Sequence, residues 1–169
     1  YRIFPKRGDF WVLKLNVDAT VAWQKTYGGT STDEAYSIQQ TNDGGYIVAG
    51  YTGAFEAGDF WVLKLNSEGS IAWQKRYSGV GWDHAYSVLQ TSDGGYIVAG
   101  AGVGYYPDFW ILKLDSDGTV TWQKAYGYAR QDYAYSIQQT SDGGYIVAGY
   151  AEWPVGADYN GDFWVLKLN

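Results

Sequence analysis

The feature that most constrains this chain is an internal repeat. Asp-Phe-Trp-Val-Leu-Lys-Leu-Asn stands at 9–16, 59–66 and 162–169, and with Ile and a final Asp at 108–115. Trp-Gln-Lys recurs at 23–25, 73–75 and 122–124, and Ala-Tyr-Ser at 35–37, 85–87 and 134–136. Gly-Gly-Tyr-Ile-Val-Ala-Gly recurs at 44–50, 94–100 and 143–149. Four separate segments that keep one spacing define a tandem repeat. The chain therefore reads as one repeat domain over 1–169, with repeats at 9–58, 59–107 and 108–161 and a partial repeat at 162–169.

Each period holds four short runs rich in β-branched and aromatic residues, bounded by turn residues, which is the pattern of strands and not of helices. In the second period these are Phe60 to Leu65, Ile71 to Tyr77, Ala85 to Gln90 and Tyr96 to Gly100. Asn66-Ser67-Glu68-Gly69 turns the first into the second, and Ser92-Asp93-Gly94-Gly95 turns the third into the fourth. Taken in chain order, each period reads as a four-stranded antiparallel meander. The first and fourth strands carry apolar side chains on both faces and must be covered on both sides. The second strand is half polar, with Ala72, Gln74 and Arg76 opposite Ile71, Trp73 and Tyr77, and suits an outer edge. The expected fold class is all-β, built of tandem blades of β-propeller type.

Residues 64–75, Lys-Leu-Asn-Ser-Glu-Gly-Ser-Ile-Ala-Trp-Gln-Lys, resemble the blade motif of quinoprotein-type propellers, in which a turn rich in Asp and Gly precedes a Trp that docks between neighbouring blades. The whole unit is more similar still to propeller-type repeats of large bacterial and archaeal surface proteins, from Asp9 onward. That resemblance implies a fold and a setting at the cell surface or outside the cell. It implies no activity, since one fold hosts many.

The strand count departs from a finished propeller. The first-type strand appears four times and the other three types three times each, giving thirteen strands where about sixteen or more are needed. The chain is then a segment of a larger surface propeller, or a subunit that other chains complete or exchange strands with. The terminal copies, which open on Asp9, Phe10 and Trp11 and on Asp162, Phe163 and Trp164, should each lack a neighbour on one side. Strands apolar on both faces do not tolerate that exposure, so self-association is expected, and a contact that fails to close gives a filament.

Composition narrows the chemistry. There is no Cys and one His, which removes thiol chemistry and thiolate metal sites. A net charge of −6 repels nucleic acid on average, and no apolar run is long enough to insert in a membrane. The chain opens on Tyr1 without Met, which reads as a processed or trimmed product. The acidic turns at 16–18, 66–69 and 115–118 read as hairpin turns before cation sites, because only Asp115 and Asp117 offer paired carboxylates. Asp33, Asp83 and Asp132 each precede Ala-Tyr-Ser by two residues and read as acceptors of backbone N–H groups. His84 reads as a surface residue, and the repeated lysines as part of the blade. No catalytic residue, metal site or cofactor is expected.

Of the 32 aromatic residues (9 Trp, 17 Tyr, 6 Phe), twenty fall at repeated positions and read as packing between blades. The others lie mostly in variable loops, where a scaffold carries function. Trp82, Trp153, Tyr105, Tyr106, Tyr128 and Tyr159 are the candidate contacts with a partner or, in the rival reading, with carbohydrate. The expected function is a non-enzymatic structural or interaction module that assembles with other chains through its terminal strands.

Overall fold

The computed structural model describes residues 8–54, 58–128, 130–155 and 158–169, with residues 154, 155, 158 and 159 described in their backbone alone. A substitute strand expected at 1–4 and the loop residue Phe55 lie outside the described residues. Among the described residues thirteen strands form four antiparallel sheets. The first sheet is β1 (Phe10–Leu15) with β2 (Val21–Tyr27). The second runs β3 (Asp33–Gln40), β4 (Tyr46–Thr52), β5 (Asp59–Leu65), β6 (Ile71–Tyr77). The third runs β7 (His84–Gln90), β8 (Tyr96–Gly102), β9 (Asp108–Leu114), β10 (Val120–Tyr126). The fourth is β11 (Asp132–Gln139), β12 (Tyr145–Val155), β13 (Asp158–Leu168). No helix occurs among the described residues.

The strands fall where the runs of β-branched and aromatic residues lie, but their grouping corrects the reading in chain order. A sheet is not one period. Each complete sheet takes the third and fourth strands of one period and the first and second of the next, so the break between sheets falls at 78–83 and again at 127–131. The physical reason lies in the faces. Pairing β4 with β5 places the two strands that are apolar on both faces at the centre of the sheet, where every residue of both is buried. The half-polar β6 then takes the outer edge, with alternating exposure. Grouping by period would have put β6 inside and β5 at an edge.

Because the strands alternate in direction, all the tight turns lie at one end of the sheets and all the variable loops at the other. In the tight turns Gly69 and Gly118 adopt φ of +75° and +81°. The same position in the first turn holds Ala19, at φ +64°.

The sheets stack face on face, and one packing unit repeats three times. Phe10 lies 4.6 Å from Trp61, Phe60 4.6 Å from Trp110, and Phe109 4.9 Å from Trp164, measured between ring centroids. Each Phe projects from one sheet onto the Trp of the next and onto a glycine beside it, Gly50, Gly100 or Gly149, where a Cβ would meet the ring tip within 2.7–2.8 Å. Three apolar clusters fill the three gaps between sheets. The edge strands add a second lock. Trp23 Nε1 donates to the Ser67 carbonyl and Trp73 Nε1 to the Ser116 carbonyl, both at 3.2 Å, while Tyr27 and Tyr77 donate to the Gly69 and Gly118 carbonyls at 2.6 Å. The described residues do not close into a ring.

Candidate interaction surfaces

The two ends of the stack expose what the interior buries. On β1, Trp11 is 62% exposed and Leu13 and Leu15 are open beside it, whereas Trp61, Leu63 and Leu65 at the same positions of β5 are buried. On β13 the opposite face is open: Phe163 is 84% exposed and Val165 lies next to it, whereas Phe60 and Val62 are buried. Trp164 packs inward on Phe109. Phe10 is buried against the second sheet, and Asp9 Oδ1 is buried without a hydrogen-bond partner among the described residues. Asp162, which opens the last copy, lies in β13 opposite Ala151. Among the described residues β1 pairs with β2 alone and β13 with β12 alone, so both terminal strands lack a neighbour on one side.

The structure also brings together residues that the repeat pattern had assigned to packing. Tyr36, Tyr86 and Tyr135 sit at the bulges of β3, β7 and β11, where the register slips by one residue. A bulge re-aims its side chain, and the three rings stand in a row, 5.3 Å apart at both steps. These packing contacts between sheets lie along an open edge. His84, expected at the surface, belongs to the row and is half-buried there: it stacks on Tyr51 at 4.5 Å and 8°, and burial lowers its pKa. Burial also pushes the Tyr86 hydroxyl up to about 12.

Beneath that row, polar links cross from sheet to sheet. Val88 N–H donates to Ser37 Oγ at 3.1 Å and Ile137 N–H to Ser87 Oγ at 3.3 Å. Gln90 N–H donates to Gln39 Oε1 at 2.6 Å. Hydrogen bonds of this kind fix the register of one sheet on the next.

The aromatics outside the repeat do not form one platform, and two of them are not in a loop: the enlarged loop expected at 150–161 is largely strand, with Trp153 in β12 opposite Asn160 and Tyr159 in β13. Trp82 is exposed and lies 6.0 Å from Tyr51. Tyr105 and Tyr106 meet edge to face at 5.0 Å, with the Arg130 guanidinium 5.1 Å from the Tyr106 ring. Tyr128 and Trp153 pack at 4.2 Å and lean together on Trp164. The side chain of Tyr159 lies outside the described residues. In these groups the ring faces are partly spent on one another.

The charged groups are committed to turns. Asp83 accepts N–H groups of Gly79 at 2.5 Å and Val103 at 3.2 Å, and Asp132 accepts those of Tyr128 at 2.8 Å and Glu152 at 3.0 Å. Burial raises the pKa of both carboxyls. Asp33 accepts from Gly29 N–H at 3.2 Å. Asp115 accepts N–H groups of Asp117 and Thr119, so its oxygens hold the turn. The lysines of the first-type strands bridge Asp43, Asp93 and Asp142 through Lys64, Lys113 and Lys167 at 2.7–2.9 Å. Lys14, their equivalent in β1, donates instead to the Tyr46 hydroxyl.

Compared with known proteins, the chain matches no protein-family model and no curated protein sequence.

Proposed function

We propose that this chain is a self-associating structural module, non-enzymatic, whose four-stranded sheets act as propeller-type blades that copies of the chain complete for one another. The observation that carries the reading is the pair of end faces. Trp11 with Leu13 and Leu15 is one half of an interface, and the three internal gaps each pack a copy of that half in the same geometry, buried in the first two and partly buried in the third. Interfaces whose cores are aromatic and apolar are those that hold proteins together. The resemblance of the repeat to those of bacterial and archaeal surface proteins supports a setting at or outside the cell surface, and the absence of Cys is compatible with one. The buried carboxylates Asp83 and Asp132 are spent on backbone N–H groups, which favours the structural reading over an enzymatic one.

Light scattering of the purified chain across a concentration series tests this. The mass should rise with concentration, and Trp11→Ser should shift the rise to higher concentration while leaving the circular dichroism of the monomer unchanged. A chain that stays monomeric at millimolar concentration would end the reading.

A further inference from the structure

We infer that copies join by exchange of strands: the β1–β2 hairpin of one chain enters the fourth sheet of another, taking the place of β13 beside β12 and supplying the fourth strand that this sheet lacks. The inference rests on the self-association proposed above and names the element that performs it.

The place is already built for the incoming strand. β13 and β1 share the same eight residues, Asp-Phe-Trp-Val-Leu-Lys-Leu-Asn, at 162–169 and 9–16. A fourth-type strand pairs with a first-type strand three times in this chain in one register, Tyr46 opposite Leu65, Tyr96 opposite Leu114 and Tyr145 opposite Leu168. The incoming Leu15 would take the place of Leu168, and Trp11 that of Trp164 on Phe109. The strand that leaves and the strand that enters make the same ladder over these residues.

Four further observations separate exchange from simple stacking of end faces. First, Ile38 on β3 is 51% exposed, whereas Val88 and Ile137 at the same position of β7 and β11 are 4% and 0% exposed. Ile38 is open because, among the described residues, the first sheet has no third-type or fourth-type strand to lie over it. Stacking another chain's fourth sheet on β1 leaves that gap, and extending β1–β2 with another chain's β11–β12 fills it. Second, Ile146 on β12 is 39% exposed, although Ile47 and Ile97 at its position are fully buried. In the composite sheet Ile146 is the residue that covers Ile38. Third, Ser136 would stand beneath Ile38 as Ser37 stands beneath Val88, ready to accept its N–H. Fourth, Trp122 and Tyr126 repeat Trp23 and Tyr27 but face a sheet that, among the described residues, has no turn of the first-to-second type. The incoming hairpin brings that turn, residues 16–20.

Exchange yields three complete four-stranded sheets per chain. Two chains that exchange reciprocally therefore close six sheets, within the range of about four to eight blades that propellers use, while exchange in one direction gives an open fibre. What opposes the step is the longer native hairpin: β12 and β13 pair over eleven positions, against seven for β4 with β5. β13 must peel away first, so assembly should be slow compared with diffusion.

The test locks β13 in place. Ala148 and Val165 are directly opposed across the β12–β13 ladder and both face outward. Opposed residues there lie about 4.5–5.5 Å apart at Cα, within disulfide reach, and the chain has no other Cys. The variant Ala148→Cys with Val165→Cys is expected to stay monomeric when oxidised, at a concentration where the reduced form assembles. Phe163→Ser serves as the second arm, since Phe163 is exposed and leaves with β13. It should assemble as the parent chain does. If the oxidised lock assembles like the parent and Phe163→Ser abolishes assembly, copies stack by their end faces, and exchange is overturned while self-association stands. If the parent chain itself never assembles, the proposed function fails and exchange with it.

Discussion

The interior sheets and the terminal sheets are written in the same residues and differ in what covers them. β5 and β13 share Asp-Phe-Trp-Val-Leu-Lys-Leu, yet all seven residues of β5 are buried and Phe163 of β13 stands open. Sequence sets which faces are apolar, while the neighbouring sheet decides whether that apolarity stabilises the fold or exposes it. The same side chain should therefore carry very different energies in the two regions, and equivalent substitutions can measure the difference.

The largest effect is expected at the Phe that bridges two sheets. Phe60→Ala removes a fully buried ring from the gap it shares with Trp110 and Gly100, and should destabilise the monomer by about 3–5 kcal/mol. Phe163→Ala, at the matching position, should change monomer stability by no more than about 0.5 kcal/mol. Urea unfolding of the two variants reads both numbers. Equal losses would mean that the end sheet is covered in the monomer after all.

Next come the buried carboxylates that pin the loops between sheets. Asp83→Ala strands the N–H groups of Gly79 and Val103, and should cost about 2–4 kcal/mol. At the terminal end Asp33 accepts from Gly29 N–H, and Asp33→Ala should cost about half as much. Thermal melts at fixed pH compare them, and a larger loss at Asp33 would reverse the ordering of interior over terminal.

How much of this was legible in the sequence depends on the range of the signal. Each strand could be located, because Asp-Gly and Gly-Gly turns between alternating runs are local cues; β6 matches its expected bounds at Ile71 and Tyr77, whereas β12 and β13 run on to Val155 and from Asp158, through residues that read as loop because Pro154 and Gly161 are turn residues. The grouping into sheets was misread because the segment 53–58, which connects β4 and β5 of one sheet, and the segment 78–83, which connects two sheets, look alike in composition. Only the requirement that two-faced apolar strands sit in the middle distinguishes them. The end faces of β1 and β13 were foreseen from the strand count. Ile38, Ile146 and the Tyr36, Tyr86 and Tyr135 row were missed, since a repeated position was read as buried in every copy. Ala19, standing where the other copies have Gly69 and Gly118, was the signal that could have marked the first turn as one that no described Trp of the same chain covers.

That turn gives a smaller comparison. A Cβ at Gly118 would meet the Trp73 ring at 2.9 Å, at a φ of +81°, so Gly118→Ala should cost about 1–2 kcal/mol. Ala19 holds its Cβ at φ +64°, in the turn of the first sheet, before which no further sheet stands among the described residues. Ala19→Gly relieves that backbone, and the monomer should gain about 1 kcal/mol at most. In the exchanged assembly Trp122 would come to lie over this turn as Trp73 lies over Gly118, so the same variant should also tighten association. Sedimentation of Ala19→Gly beside the parent chain measures it, and weaker association would count against exchange.

The smallest effect concerns the lysine bridges, and its sign follows from the direction of the shifts. The Lys64 ammonium, then the Thr41 hydroxyl, hold the Asp43 carboxyl at about 2, and Lys113 and Thr91 do the same for Asp93. Both values lie below the ordinary carboxylate value of about 3.9, so the folded state binds fewer protons there than the unfolded one. Their stabilisation is present above about pH 4 and is lost as pH falls through about 2. Asp83 and Asp132 run the other way: burial raises them, so their contribution is fullest below about pH 4 and fades as pH rises. Because Asp43 and Asp93 are more than half exposed, solvent screening limits each bridge to about 1 kcal/mol or less. Asp43→Asn should therefore lower the melting temperature slightly at pH 6, and its curve should converge on the parent's as pH falls to about 2. A difference that persisted or grew in acid would show that the Thr41 and Gly45 hydrogen bonds, and not the lysine charge, are what Asp43 contributes.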